Sequence, residues 1–259
     1  MKRRIEVNFS HQFAGTIWNS ALSSSNATLL LEIRDGHERK TSFSALDLIS
    51  GKLIWDGVVF EERWWVGLDG AQGEVALFSV FTDTTNPDRK SLIAYHIAEQ
   101  KILWWRNDFS LSALGLNCAL GISAQYGHRE IALDLMSGKE TQYLPQPPEA
   151  TIIARPVQYV DGHPYFFTVQ TFLQARFNFQ AVVSLEYLEE SSLIFISCYA
   201  RGEQGLTNDL LVLSADGEMV MRENLGEQLK GIGQDTFFIY GGSVIFVKNR
   251  GELFSYKIV

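Results

Sequence analysis

The 259-residue sequence is short of cysteine, of basic clusters, of long apolar runs and of catalytic signatures, and each shortage narrows what it can do. Cys118 and Cys198 are its two cysteines, far apart inside apolar stretches and outside any CxxC or Cys/His cluster. The expectation is a pair of reduced, buried, inert thiols in a reducing compartment. Lysine and arginine total 22 against 30 acidic residues, a formal charge of -8, and the cations are scattered. A nucleic-acid ligand, which needs a basic surface to displace counterions, is not expected. No stretch approaches the roughly 18 uninterrupted apolar residues of a membrane span. The basic start, Met1-Lys2-Arg3-Arg4, has no apolar segment behind it, so the expectation is a cytoplasmic protein without a secretion leader or lipid anchor. There is no Gly-x-Ser-x-Gly elbow, phosphate-cradling loop or His-Glu-x-x-His helix. The five histidines show no ligand spacing.

What the sequence does hold is aromatic residues, 17 Phe, 9 Tyr and 6 Trp, which suit pleated surfaces, and an internal repeat. Ala45-Leu46-Asp47-Leu48-Ile49-Ser50-Gly51-Lys52-Leu53-Ile54-Trp55 returns as Ala94-Tyr95-His96-Ile97-Ala98-Glu99-Gln100-Lys101-Ile102-Leu103-Trp104, then as Ala132 to Lys139, and in shortened form as Val212 to Val220. Each copy reads as strand, tight turn, strand, and two further apolar segments precede it, such as Trp64 to Leu68 and Glu74 to Phe81 before the second copy. Four strands per repeat describe a propeller blade.

The turns at Gly51, Gln100, Gly138 and Gly217 are separated by 49, 38 and 79 residues, and 42 more follow the last. The long interval predicts a degenerate blade between Thr151 and Gln180, with Pro164 to Leu173 as its clearest strand. The expected fold is an all-β, six-bladed β-propeller of four-stranded antiparallel blades, filling residues 1–259 as one domain, with five blades as the alternative. Strand Ile5 to Phe9 is expected to pair with Glu252 to Ile258, completing the last blade and closing the ring. Pro145-Gln146-Pro147-Pro148 reads as an interblade loop.

The Ala-Leu-Asp-Leu-x-Ser-Gly-Lys-Leu-x-Trp run resembles the repeat of pyrroloquinoline-quinone-type (quinoprotein-like) propellers. The chain also looks like a bacterial propeller family of about this length with no assigned activity. The resemblance implies that Asp47 and Gly51 tie the hairpin and that Trp55 packs on the neighbouring blade. It implies the same for Asp134 and Gly138, and for Trp104. The quinone enzymes are typically eight-bladed and carry adjacent cysteines under the cofactor. This chain is shorter and has none, so no quinone or other cofactor is expected.

Ligands of a propeller gather where the loops feeding the innermost strands line the channel mouth. Arg63, Trp64, Trp105, Arg106, Asp108 and Arg155 are the binding residues this predicts, beside Glu61, Glu62, Asn107 and Lys230; arginine offers a planar fork and tryptophan a flat anchor. Trp55 and Trp104 are expected in the core, Trp64 and Trp105 as the freer members of their doublets. No catalytic or metal residue is assigned. The function expected is a non-enzymatic propeller that binds a protein or peptide partner on one face. The alternatives are a hydrolase or lyase with a channel metal, for which Asn19, Asn117 and Glu186 are the available oxygens, and a small-molecule or sugar sensor.

Overall fold

The computed structural model describes residues 4–83, 89–124, 127–145 and 153–259. Its strands fall into five antiparallel sheets, and the chain divides into two compact units, 13–150 and 1–12 with 151–259. Among the described residues no helix is long and apolar enough to cross a membrane.

Strand β1 (Ile5–Gln12) belongs to the second unit. The unit 13–150 then lays down three four-stranded sheets in simple chain order. The first is β2 (Thr16–Ser23), β3 (Thr28–Asp35), β4 (Lys40–Asp47) and β5 (Lys52–Val58). The next is β6 (Val66–Gln72), β7 (Val75–Phe81), β8 (Lys90–His96) and β9 (Lys101–Arg106). The third is β10 (Phe109–Leu114), β11 (Cys118–Ser123), β12 (Arg129–Asp134) and β13 (Glu140–Thr141).

The middle strands carry runs such as Val75-Ala76-Leu77-Phe78-Ser79-Val80, buried on both sides, because sheets stack on both of their faces. Leu30 and Phe43 of the first sheet meet Phe78 and Tyr95 of the second. From the opposite face of the second, Leu77, Leu92 and Ala94 meet Phe109, Ala119 and Leu133 of the third.

The repeat residues lock these layers. Asp47 Oδ1 accepts from the amides of Ile49 and Ser50, at 2.8 Å each. Asp134 does the same for Ser137, whose hydroxyl holds its carboxyl below the usual range. In the divergent copy His96 Nδ1 takes over, accepting from Glu99 N at 3.2 Å, and Gln100 adopts the left-handed φ of +54° that glycine would supply. Each tryptophan reaches the following sheet: Trp55 Nε1 donates to Ile97 O and Trp104 Nε1 to Leu135 O, both at 2.8 Å.

The other unit differs. After β14 (Ile153–Ala154) and β15 (Val157–Val160) comes a helix, α1 (Pro164–Phe177), followed by β16 (Ser184–Glu190), β17 (Leu193–Gly202), β18 (Gly205–Ser214) and β19 (Met219–Leu229). Strands β20 (Phe237–Tyr240), β21 (Ser243–Lys248) and β22 (Glu252–Ile258) complete the chain order. The two sheets are β15-β16-β17-β18-β19 and β1-β22-β21-β20-β14. The predicted pairing of the first strand with the last is present, from Ile5 opposite Ile258 to Gln12 opposite Glu252.

The predicted degenerate blade is corrected. Within 151–180, β14 extends the sheet of β20, β15 extends that of β16, and Pro164 to Leu173, expected as a strand, is helical. Pro164 occupies the first turn, where its missing N–H is harmless, and His163 Nδ1 caps Tyr165 N at 3.2 Å. Phe166 and Leu173 of α1 bury against Leu185, Ile196, Cys198 and Leu211, so the helix covers part of one face of its sheet. The described residues thus hold five sheets where the turn spacing predicts six. Pro145 bridges to Gly115; Gln146, Pro147 and Pro148 of the expected loop lie outside the described residues.

Candidate functional site

The most developed surface site in the unit 13–150 grows from two charged residues in an otherwise apolar strand. Strand β3 reads Thr-Leu-Leu-Leu-Glu-Ile-Arg-Asp, and Glu32 is 1% exposed. A carboxylate so buried must be paired and hydrogen-bonded. Glu32 Oε1 accepts from Arg34 Nε at 2.6 Å, and Oε2 from Leu68 N at 2.7 Å. Leu68 sits in β6, so the acid also ties the first sheet to the second.

The guanidinium of Arg34 then lies 5.2 Å from the ring of Trp18 and 5.3 Å from that of Trp64, a cation between two aromatic partners. Trp18 lies at a bulge between Ile17 and Asn19. Asn19, beside it, donates to Leu68 O at 2.8 Å, which fixes the bulge. Trp64 is fixed from below: Glu62 Oε1 accepts from the amides of both Trp64 and Trp65, at 2.8 and 2.9 Å. The result is a stack anchored by hydrogen bonds to its members' neighbours, in which the Trp18 ring is 66% exposed.

Five predicted binding residues belong to this unit and Arg155 to the other. Of the six, Trp64 joins the stack. Arg63 contributes its carbonyl to Thr41 N at 2.6 Å. Trp105 is 46% exposed. Arg106 lies 3.8 Å from Glu140, which Arg129 also pairs with at 2.5 Å. Asp108 meets Arg89 at 3.7 Å. Arg155 pairs with Asp235 at 3.2 Å and lies over Phe238. Trp64 thus joins Arg34, while Arg106, Asp108 and Arg155 pair with acids or bases outside the predicted set.

Within the first doublet the expectation is corrected, since Trp65 is 40% exposed whereas Trp64 is half-buried on Arg34. Trp18, Glu32 and Arg34 were not foreseen, although Glu-x-Arg inside a buried strand was a readable signal.

Of the oxygens considered for a channel metal, those of Glu186 and Asn19 are otherwise engaged. Glu186, 1% exposed in β16, accepts from Asp235 N at 2.5 Å, from Thr236 N at 2.9 Å and from the Thr236 hydroxyl at 2.5 Å. Burial raises its pKa against the pull of these donors. Asn19 is committed to Leu68 and to Ser20 N. Among the described residues no three His, Cys, Asp or Glu side chains cluster as metal ligands would.

Comparison with known proteins gives a partial match. A family model described as a domain of unknown function, DUF4905, matches residues 22–104, which run from the end of β2 to β9. No curated protein matches the sequence. Among solved structures, BamB from Moraxella catarrhalis is similar at 11% identity over 92% of this chain and 84% of its own, with a TM-score of 0.37. A member of the DUF4221 family from Bacteroides vulgatus is similar at 10% identity over 100% of this chain and 97% of its own, also with a TM-score of 0.37. The Dos1 propeller is similar at 7% identity over 98% of this chain and 54% of its own, with a TM-score of 0.28.

Proposed function

We propose that the protein is a non-enzymatic β-propeller, one domain over residues 1–259, that uses one face to bind a protein or peptide partner. The reading of the fold is supported by antiparallel sheets of four strands, or four plus one added strand, stacked face to face within each unit. Pairing of β1 with β22 supports closure by the N-terminal strand. Five blades fit the described sheets better than the six that the turn spacing favours. Two free, buried cysteines support a reducing, cytoplasmic setting.

The observation that carries the binding reading is the Trp18–Arg34–Trp64 stack. A surface tryptophan normally loses side-chain freedom on binding, but a ring already held against a carboxylate-anchored arginine has little left to lose. Its free face suits a flat or cationic group of a partner, as in interface hot spots.

The test is affinity purification from the native cell with wild type and Trp18→Ala in parallel. The partner recovered by wild type should be depleted at least tenfold by the variant, since a hot-spot truncation costs about 2 kcal/mol or more. Equal recovery with an unchanged melting temperature would remove Trp18 from the interface.

A further inference from the structure

Helix α1 does not cover the whole face of the sheet it packs on. Beyond its end, a cleft of about 300 Å³ is lined by Asn178, Phe179 and Gln180, which follow the helix, and by Arg201, Thr207, Asp209 and Arg222 of the sheet. All of these residues belong to one unit. The cleft contains a buttressed arginine. Asp209, with a side chain 7% exposed, lies 3.3 Å from Arg222 Nε, and the guanidinium of Arg222 sits 5.3 Å from the ring of Phe179.

This arrangement has a chemical consequence. A guanidinium presents a planar fork of donors. Asp209 engages it at Nε and Phe179 supports it as a platform, so the terminal Nη edge is the part left to meet a second anion. Arg201 supplies another positive charge in the lining, while Thr207, Asn178 and Gln180 add a hydroxyl and two amides suited to hydroxyl or carbonyl oxygens.

We propose that this cleft binds a small hydroxylated carboxylate, with Arg222 as the carboxylate fork, Arg201 as a second cationic contact and Asp209 as the positioning residue that holds Arg222. The site is separate from the tryptophan stack and does not depend on the partner-binding reading.

The experiment is calorimetric titration of the full chain with citrate, succinate and inorganic phosphate at matched ionic strength, accompanied by thermal unfolding. Saturable citrate binding is expected, weaker for succinate, which lacks both the hydroxyl and the third carboxylate. Phosphate binding as tightly as citrate would overturn the assignment to carboxylates. Arg201→Ala, on an exposed side chain, should weaken citrate about tenfold with the fold intact, the loss of one charged contact. Arg222→Gln should abolish binding; Asp209→Asn should weaken it, and both are checked for folding by circular dichroism. No saturable binding by wild type, or citrate binding unchanged in Arg201→Ala, would overturn the proposal.

Discussion

Trp55→Phe tests how the sheets of the unit 13–150 are locked. Trp55 is 6% exposed and its indole N–H reaches the carbonyl of Ile97, itself 1% exposed, at 2.8 Å. Phenylalanine keeps a ring in place but leaves that carbonyl without its donor, which costs about 1–3 kcal/mol. The smaller ring also gives up one to two methylene equivalents of burial, roughly 1 kcal/mol. The expected loss is about 2–4 kcal/mol. The same change at Trp104 breaks an equally short bond, to Leu135, but at a half-buried site where water can re-enter, so about half that loss is expected. Trp65→Phe, at a ring 40% exposed, should cost under about 0.5 kcal/mol. The assay is urea unfolding followed by far-ultraviolet circular dichroism, because the substitutions remove fluorophores. A loss at 55 no larger than at 65 would refute the idea that these bonds lock the layers, and equal losses at 55 and 104 would refute the weighting by burial.

Gly138→Ala should destabilise the same unit by about 2 kcal/mol or more, because the new Cβ would meet Trp104 Cγ at 2.7 Å at a backbone φ of +67°; an unchanged urea midpoint would contradict that packing. Glu186 has a raised pKa, so its contribution to stability is full below its unfolded-state value and is lost as pH rises through the folded one. The stability gap between wild type and Glu186→Gln should therefore be larger at pH 4.5 than at pH 7.5, and urea midpoints at the two values that show the reverse would refute the assignment. Tyr256 donates to Glu223 at 2.8 Å, and burial, with that carboxylate, pushes its pKa up to about 12. A spectrophotometric titration of wild type against Tyr256→Phe should show one phenol missing from the late-ionising group. Burial likewise pushes the Cys198 thiol well up, so a thiol reagent at pH 8 should modify it only after unfolding.

The repeat was legible because its chemistry is local. An aspartate two or three residues from the amides it caps, a residue that tolerates positive φ and a tryptophan at a fixed offset leave their marks within eleven letters. Where the marks changed, at His96 and Gln100, the structure keeps the bond to the amide three residues on, with a ring nitrogen in place of the carboxylate. The segment 164–177 misled because its run of Phe, Val and Leu carries no clear period. Such a run fits a buried strand as well as a helix, and the decision fell to His163 and Pro164, a cap and a first-turn residue that the repeat count had no use for. The sixth sheet that the turn spacing predicts is missing among the described residues for the same reason, since a helix and two added strands fill most of that interval. Of the site, Trp64 was found by its place in a loop. Trp18 and Arg34 were hidden because their partnership joins a strand bulge to residues 14 to 46 positions away, and only the paired strands bring them together.

The union of β1 with β22 carries a consequence for synthesis. Arg4 and Val259 exchange backbone hydrogen bonds at 2.9 and 3.0 Å, so β1, made before the other described strands, waits for β22, made after them. Until they meet, β1 has no mate and the sheet of β20 to β22 lacks its outer strand. Both are templates for stray pairing with a neighbouring nascent chain. A permuted gene that joins the two strands through a short linker and opens the chain at the Glu203-Gln204 turn would deliver them together, and its yield of soluble protein should report how much that wait matters.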